Sequence, residues 1–99
     1  EMPAEASPEQ EAEAEARKAE GNAAFAKGDY AAADAAYTAA IAANGRNHVL
    51  WSNRSACRLA AGDAEAALVD GRMARRLNTA WPKGFFREGM AYMALEQWE

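Results

Sequence analysis

Two pairs of polar side chains in this sequence stand four residues apart, Lys18 with Asn22 and Lys83 with Arg87. On a helix that spacing puts the members of each pair on one face, one turn apart. Asn53 precedes Arg87 by 34 residues, an interval that recurs along the chain. Together the five supply two ammoniums, one forked guanidinium and two amides, with no acid among them. That is a donor set suited to holding carboxylates rather than to making or breaking bonds. Catalytic and metal chemistry have little to draw on. Cys57 and His48 are the single cysteine and the single histidine, and neither has the sequence companions of a nucleophile or a ligand set. Cys57 reads as a small buried hydrophobe and His48 as a surface or capping residue at a helix start. No metal and no cofactor is expected.

Each of the five also has a plain reading. Lys18 or Arg87 alone is a solvated helix charge, and Asn22 or Asn53 a local surface amide. What binds them together is the register of the chain. Gly21, Ser55 and Gly89 are spaced by 34 and 34, and so are Phe25, Leu59 and Met93. The same interval joins Gly28 to Gly62, Asp29 to Asp63, Ala33 to Ala67, Ala40 to Ala74, and Trp51 to Phe85. A sustained period of this length marks a helix–turn–helix unit that stacks into a solenoid. The small residues let the two helices of a unit approach, the large apolar ones fill space a turn later, and each Gly-Asp step ends one helix and caps the next.

The expected fold class is therefore all-α, with helices over 9–27, 30–43, 48–61, 64–77 and 82–95. Ser7 is the N-cap candidate of the first, with Pro8 at its first position. Residues 1–13 read as an acidic linker and helix lead-in. Repeat one covers 14–47, repeat two 48–81 and a partial repeat three 82–99, about two and a half repeats of antiparallel helix pairs. Trp98 falls 34 residues after Ala64, at the opening of a further helix, so the third repeat is expected to be incomplete. Its first helix would then leave Phe85, Tyr92 and Met93 uncovered, and a homodimer or domain swap is one expected consequence.

Composition narrows the function classes. Half the residues are apolar, 51%, yet mean hydropathy is -0.46, because alanine counts as apolar while burying little area. Alanine also has the best helix propensity. The net charge of -4 is unevenly spread. Residues 1–20 hold seven acids against Arg17 and Lys18, whereas residues 21–99 hold eight acids and nine bases. The body can therefore accept an anionic ligand, but it lacks the basic excess of a nucleic-acid binder. Arg72, Arg75 and Arg76 cluster at a helix end, where they complement the helix dipole. No apolar run reaches membrane-spanning length, and the lone cysteine fits a reducing, cytoplasmic setting.

The strings KAEGNAAFAKGDYAAADAAYTAAI, HVLWSNRSACRLAAGDAEAALVDG and WPKGFFREGMA resemble the carboxylate-clamp class of tetratricopeptide-repeat (TPR) domains. The resemblance covers about residues 14–99. These co-chaperone modules grip the acidic C-terminal tails of seventy- and ninety-kilodalton heat-shock chaperones, which end in a Glu-Glu-Val-Asp-like sequence. What the resemblance implies is an adaptor rather than an enzyme, with five side chains on the first helices of successive repeats around the ligand's last aspartate. The matching positions are Lys18, Asn22, Asn53, Lys83 and Arg87. A terminal aspartate offers two carboxylates, so such a site also reads chain end. Leu59 and Ala60, one to two turns past Asn53, stand where an apolar ligand side chain upstream of the acidic end would be met. Gly45 and Thr79 depart from the proline this family often has there. The same strings are similar, more loosely, to the C-terminal TPR segment of plant ankyrin-repeat proteins. A scaffold that binds another protein or itself, and a targeting module of a larger multidomain protein, are the alternative expectations.

Overall fold

The computed structural model describes residues 2–96, and within them every regular element is an α-helix: α1 (Pro8–Ala26), α2 (Tyr30–Ala43), α3 (His48–Ala60), α4 (Ala64–Leu77) and α5 (Pro82–Glu96). Each helix packs on the next, and α3 also touches α5 across the intervening α4. This is the solenoid pattern of helix hairpins that the 34-residue period requires, α1/α2 and α3/α4 followed by α5. The register position of Trp98 lies outside the described residues, as does the end of the 82–99 segment.

Local chemistry starts and stops the helices. Ser7 Oγ accepts from the Gln10 amide while the Gln10 side chain accepts from the Ser7 amide, a reciprocal capping box with Pro8 in the first turn. Asp29 and Asp63 accept from the amides of Ala32 and Ala66 to cap α2 and α4. Gly28 and Gly62, just before them, have φ of 79° and 93°, a left-handed turn that a Cβ would disfavour. Asn47 caps α3 by accepting from the Val49 amide.

The core is built mainly from small residues. The repeat-equivalent pairs Ala33/Ala67 and Ala40/Ala74 are all fully buried, so helix axes approach closely with little bulk between them. Two clusters fill the rest: Ala33, Tyr37 and Cys57 with Phe25 and Tyr30 around them, and Ala14, Ala40 and Leu50 with Ile41. The Cys57 thiol donates to the Tyr30 carbonyl, and burial, helped by the nearby Asp34 charge, pushes its pKa up. It is a packing residue, as its sequence setting suggested.

Gly21 shows why the repeat demands a small residue there. A Cβ on it would sit 2.5–2.9 Å from three atoms of the Tyr37 ring. Gly21→Ala is expected to cost about 1–3 kcal/mol by overpacking, read as a lowered urea midpoint, and an unchanged midpoint would refute this account of the position. Its equivalent Ser55 is buried and donates to the Ala67 carbonyl. Gly89 differs: nothing among the described residues comes within 4 Å of a Cβ there, because no described helix stands opposite it as α2 and α4 stand opposite Gly21 and Ser55. Phe85, the equivalent of Trp51, is likewise 53% exposed.

Polar contacts lock the hairpins together. Asp70 of α4 is fully buried and takes a two-pronged hydrogen bond from Arg54 Nε and Nη2, 2.9 Å each. Arg58 Nη1 adds a third at 3.3 Å while its Nε donates to Asp34 of α2 at 2.8 Å. The network spans α2, α3 and α4. At the other end of α3, His48 Nε2 lies 3.2 Å from Asn78 Nδ2, and the ring stacks edge-on with Trp81. The amide NH2 can only donate, so this contact uses neutral His48 as acceptor. Burial lowers the His48 pKa, so the folded chain binds fewer protons than the unfolded one between the two values. The stability involved is present above the ordinary value, about 6.5, and drains as pH falls through the folded one. The melting temperature is expected to fall between pH 7 and 5, and a His48→Gln variant should flatten that slope.

Candidate functional site

The candidate donors lie on α1, α3 and α5, and contacts draw Asn22, Asn53 and Arg87 together. Tyr37 Oη of α2 donates to Asn22 Oδ1 at 2.6 Å, and Asn53 Nδ2 of α3 reaches the same oxygen at 3.5 Å. Asn22 thus has its acceptor oxygen occupied, and its amide NH2 makes no hydrogen bond among the described residues. The two amides expected from sequence are brought together, one on α1 and one on α3. Tyr37 sets the orientation of the first.

Arg87 of α5 joins them through the residue next to Asn53. Its Nε donates to Ser52 Oγ at 3.2 Å, and Ser52 is fully buried. The terminal nitrogens remain for a ligand, and the guanidinium lies 5.5 Å from the centre of the Phe86 ring. Burial alone shifts this group, and it lowers the pKa. Arg58 moves the other way, raised first by its hydrogen bond to Asp34. The contrast is physical: Arg58 has its anion, and Arg87 is desolvated without one. A partly buried guanidinium held on a fixed hydroxyl is chemically suited to pairing with a carboxylate.

Lys83, one turn before Arg87, is exposed, and its Nζ lies 5.7 Å from the Trp81 ring centre. Among the described residues neither Lys83 nor Arg87 makes an ion pair, while Arg17, Arg46, Arg54, Arg58, Arg72 and Arg75 all do. Lys18 is the one cation of the set that has an ion-pair partner of its own among the described residues. It pairs with Glu15 at 3.1 Å on its own helix, a surface contact that a ligand carboxylate can displace at little cost.

Two further positions differ in how they relate to Asn53. Ala60 is exposed and Leu59 half-buried. Seven residues bring Ala60 to within about 20° of Asn53 around the helix, whereas Leu59 is roughly 120° away. From sequence Tyr37 reads as a packing residue, and it is buried in the core; its hydrogen bond to Asn22 was not foreseen, nor were Ser52, Phe86 and Met90. Phe86 and Met90 follow Lys83 by three and seven residues, so they share its side of α5, and both are exposed. The helical spacing was the available signal for those two. For Tyr37 and Ser52 there was none, since their contacts cross between helices.

The likeness to solved structures lies in the helical fold and the sequence. Over 90% of its length the chain superposes on 82% of the second TPR of Spaghetti (RPAP3) bound to HSP90 peptide SRMEEVD, with a TM-score of 0.84 and 34% sequence identity. The chain belongs to the tetratricopeptide-repeat family. The second TPR domain of human RPAP3, solved in complex with HSP70 peptide SGPTIEEVD, is 34% identical with a TM-score of 0.77, covering 89% of this TPR chain and 71% of that one. Among curated proteins, the STIP1 homolog of Dictyostelium discoideum is 45% identical over 53 residues, which is 54% of this chain and 9% of the relative. This TPR segment spans between 2% and 9% of the length of such relatives. No family model matches the chain. None of the helices among the described residues is long and apolar enough to cross a membrane.

Proposed function

We propose that this TPR domain is a non-catalytic adaptor that holds the acidic C-terminal tail of seventy- and ninety-kilodalton heat-shock chaperones on the face built by α1, α3 and α5. One observation carries the reading. A desolvated, anion-free Arg87, tethered to Ser52, stands beside the linked amides Asn53 and Asn22, with unpaired Lys83 one turn away. A ligand ending in aspartate brings two carboxylates to this set. In this reading Arg87 and Lys83 take charge from α5, Lys18 from α1, and the amide NH2 groups of Asn22 and Asn53 supply directed donors. Solved TPR neighbours in complex with peptides ending EEVD support the same ligand class.

The decisive measurement is fluorescence-anisotropy titration with the peptide SRMEEVD and its C-terminal amide. The free acid is expected to bind, and the amide to lose about 2 kcal/mol or more, because one charged hydrogen-bonding partner is removed while buried donors stay unpaired. Affinity should fall further with added salt. Equal binding of acid and amide would refute the clamp.

A further inference from the structure

A second feature lies on the other side of the solenoid. Trp51 of α3 with Val69, Arg72, Met73 and Arg76 of α4 line a cavity of about 300 Å³. Trp51 is two residues before Asn53, hence about 160° around α3 from it, so the cavity opens away from the carboxylate-binding face. The four α4 residues follow the i, i+3, i+4, i+7 stripe that makes one helix face. The opposite face of α4, with Ala67, Asp70, Gly71 and Ala74, is buried. The lining stripe therefore points outward by construction, and it alternates apolar with cationic groups.

Three physical details make this more than a dent. Val69 is 60% exposed, an aliphatic side chain with no intramolecular reason to face solvent. The Trp51 wall is fixed, because its Nε1 donates to the Gly45 carbonyl at 2.8 Å and Arg54, itself locked on Asp70, lies 5.1 Å from the ring centre. A pre-set wall lowers the ordering cost of binding. The cations are unevenly committed: Arg72 donates to Tyr92 Oη, lies 5.6 Å from that ring centre and reaches Glu88 at 3.5 Å, whereas Arg76, exposed, makes no ion pair among the described residues and is the cation left for a ligand.

We propose that this cavity is a second docking site, for a peptide segment of another protein that presents one aliphatic side chain flanked by carboxylates. The aliphatic group would enter between Trp51, Val69 and Met73, with its acidic neighbours drawn first to Arg76 and then to Arg72. A peptide fits better than a nucleic acid. Two arginines beside valine and methionine form a short charged rim on an aliphatic floor, without the extended basic track that phosphate backbones need. Since the two sites face apart, both can be filled at once, and the domain would then bridge two proteins.

Phage display of random 12-residue peptides tests this. The immobilised protein carries Lys83→Ala and Arg87→Ala, which silences the other face. Sequences with Leu, Ile or Val between acids are expected to be enriched. A synthetic peptide of the enriched sequence should bind Val69→Glu/Arg76→Glu about tenfold or more weakly (roughly 1.4 kcal/mol), while that variant keeps its circular dichroism and its affinity for SRMEEVD. Both residues are exposed, so folding should survive; were it not to, Val69→Ser and Arg76→Gln, tested singly, each predict a smaller loss. No enrichment, enrichment unaffected by these substitutions, or enriched peptides without acids would overturn the proposal. So would binding of a fluorescein-labelled oligo-dT that depends on Arg76.

Discussion

Replacing Asp70 by alanine is expected to bring this domain to the edge of unfolding. The carboxylate is fully buried and is shared by Arg54, through both prongs of its guanidinium, and by Arg58. Removing it strands Arg54, whose side chain is 11% exposed, and leaves Arg58 with Asp34 alone. Breaking a buried pair from one side costs about 3–5 kcal/mol, against a total stability of roughly 5–15 kcal/mol for a domain of ordinary size. Urea unfolding followed by circular dichroism reads the loss directly, and a midpoint close to the parent's would sink this account.

The same physics separates the cost of breaking the network from its net worth. Asp70→Leu combined with Arg54→Met and Arg58→Leu exchanges the charges for apolar volume, and is expected to recover much of the stability. What it would not recover is acid sensitivity at Asp34. Burial pushes that carboxyl up, but the hydrogen bond and charge of Arg58, with Thr38 and Arg54, outweigh it and leave the pKa below the ordinary value. A carboxyl depressed in the fold stabilises above its unfolded pKa, near 4, and loses that contribution as pH falls through the folded one. The triple variant lacks both arginines, so its stability should decline less steeply below pH 4.

Much of this architecture was legible because it is local. Gly28-Asp29 and Gly62-Asp63 specify a left-handed turn followed by an N-cap within two residues, and no distant contact is needed to decide the outcome. The helix boundaries follow to within a residue. Spacing also places Lys18 with Asn22 and Lys83 with Arg87. What the sequence hides is which neighbour each side chain chooses once helices pack. Arg72 and Arg75 sit where a helix dipole welcomes cations, yet Arg75 turns to Glu88 of α5 at 2.6 Å and Arg72 donates to Tyr92 Oη, since a partner held at hydrogen-bond distance outweighs a half-charge screened by water. Gly89 keeps the repeat register without the close contact that justifies Gly21. Ser52 looks like an ordinary helical serine until Arg87 arrives from 35 residues away.

That serine leads to the other large effect. Arg87→Ala is expected to reduce affinity for SRMEEVD by about 2–4 kcal/mol, some thirty- to a thousandfold. The side chain combines three properties no neighbour duplicates: a planar fork, partial burial, and no anion of its own among the described residues. Arg87→Lys keeps the charge but loses the fork, so it should fall nearer to alanine than to the parent. Ser52→Ala leaves the guanidinium in place and removes only its tether; a loss of about 1 kcal/mol is expected, the worth of one ordinary hydrogen bond. A double-mutant cycle between Arg87→Ala and amidation of the peptide completes the test. If Arg87 holds the terminal carboxylate, the two losses will not add, because each removes the same contact. If they add in full, Arg87 serves another part of the ligand, and the terminal carboxylate must be held by Lys18, Asn22, Asn53 and Lys83.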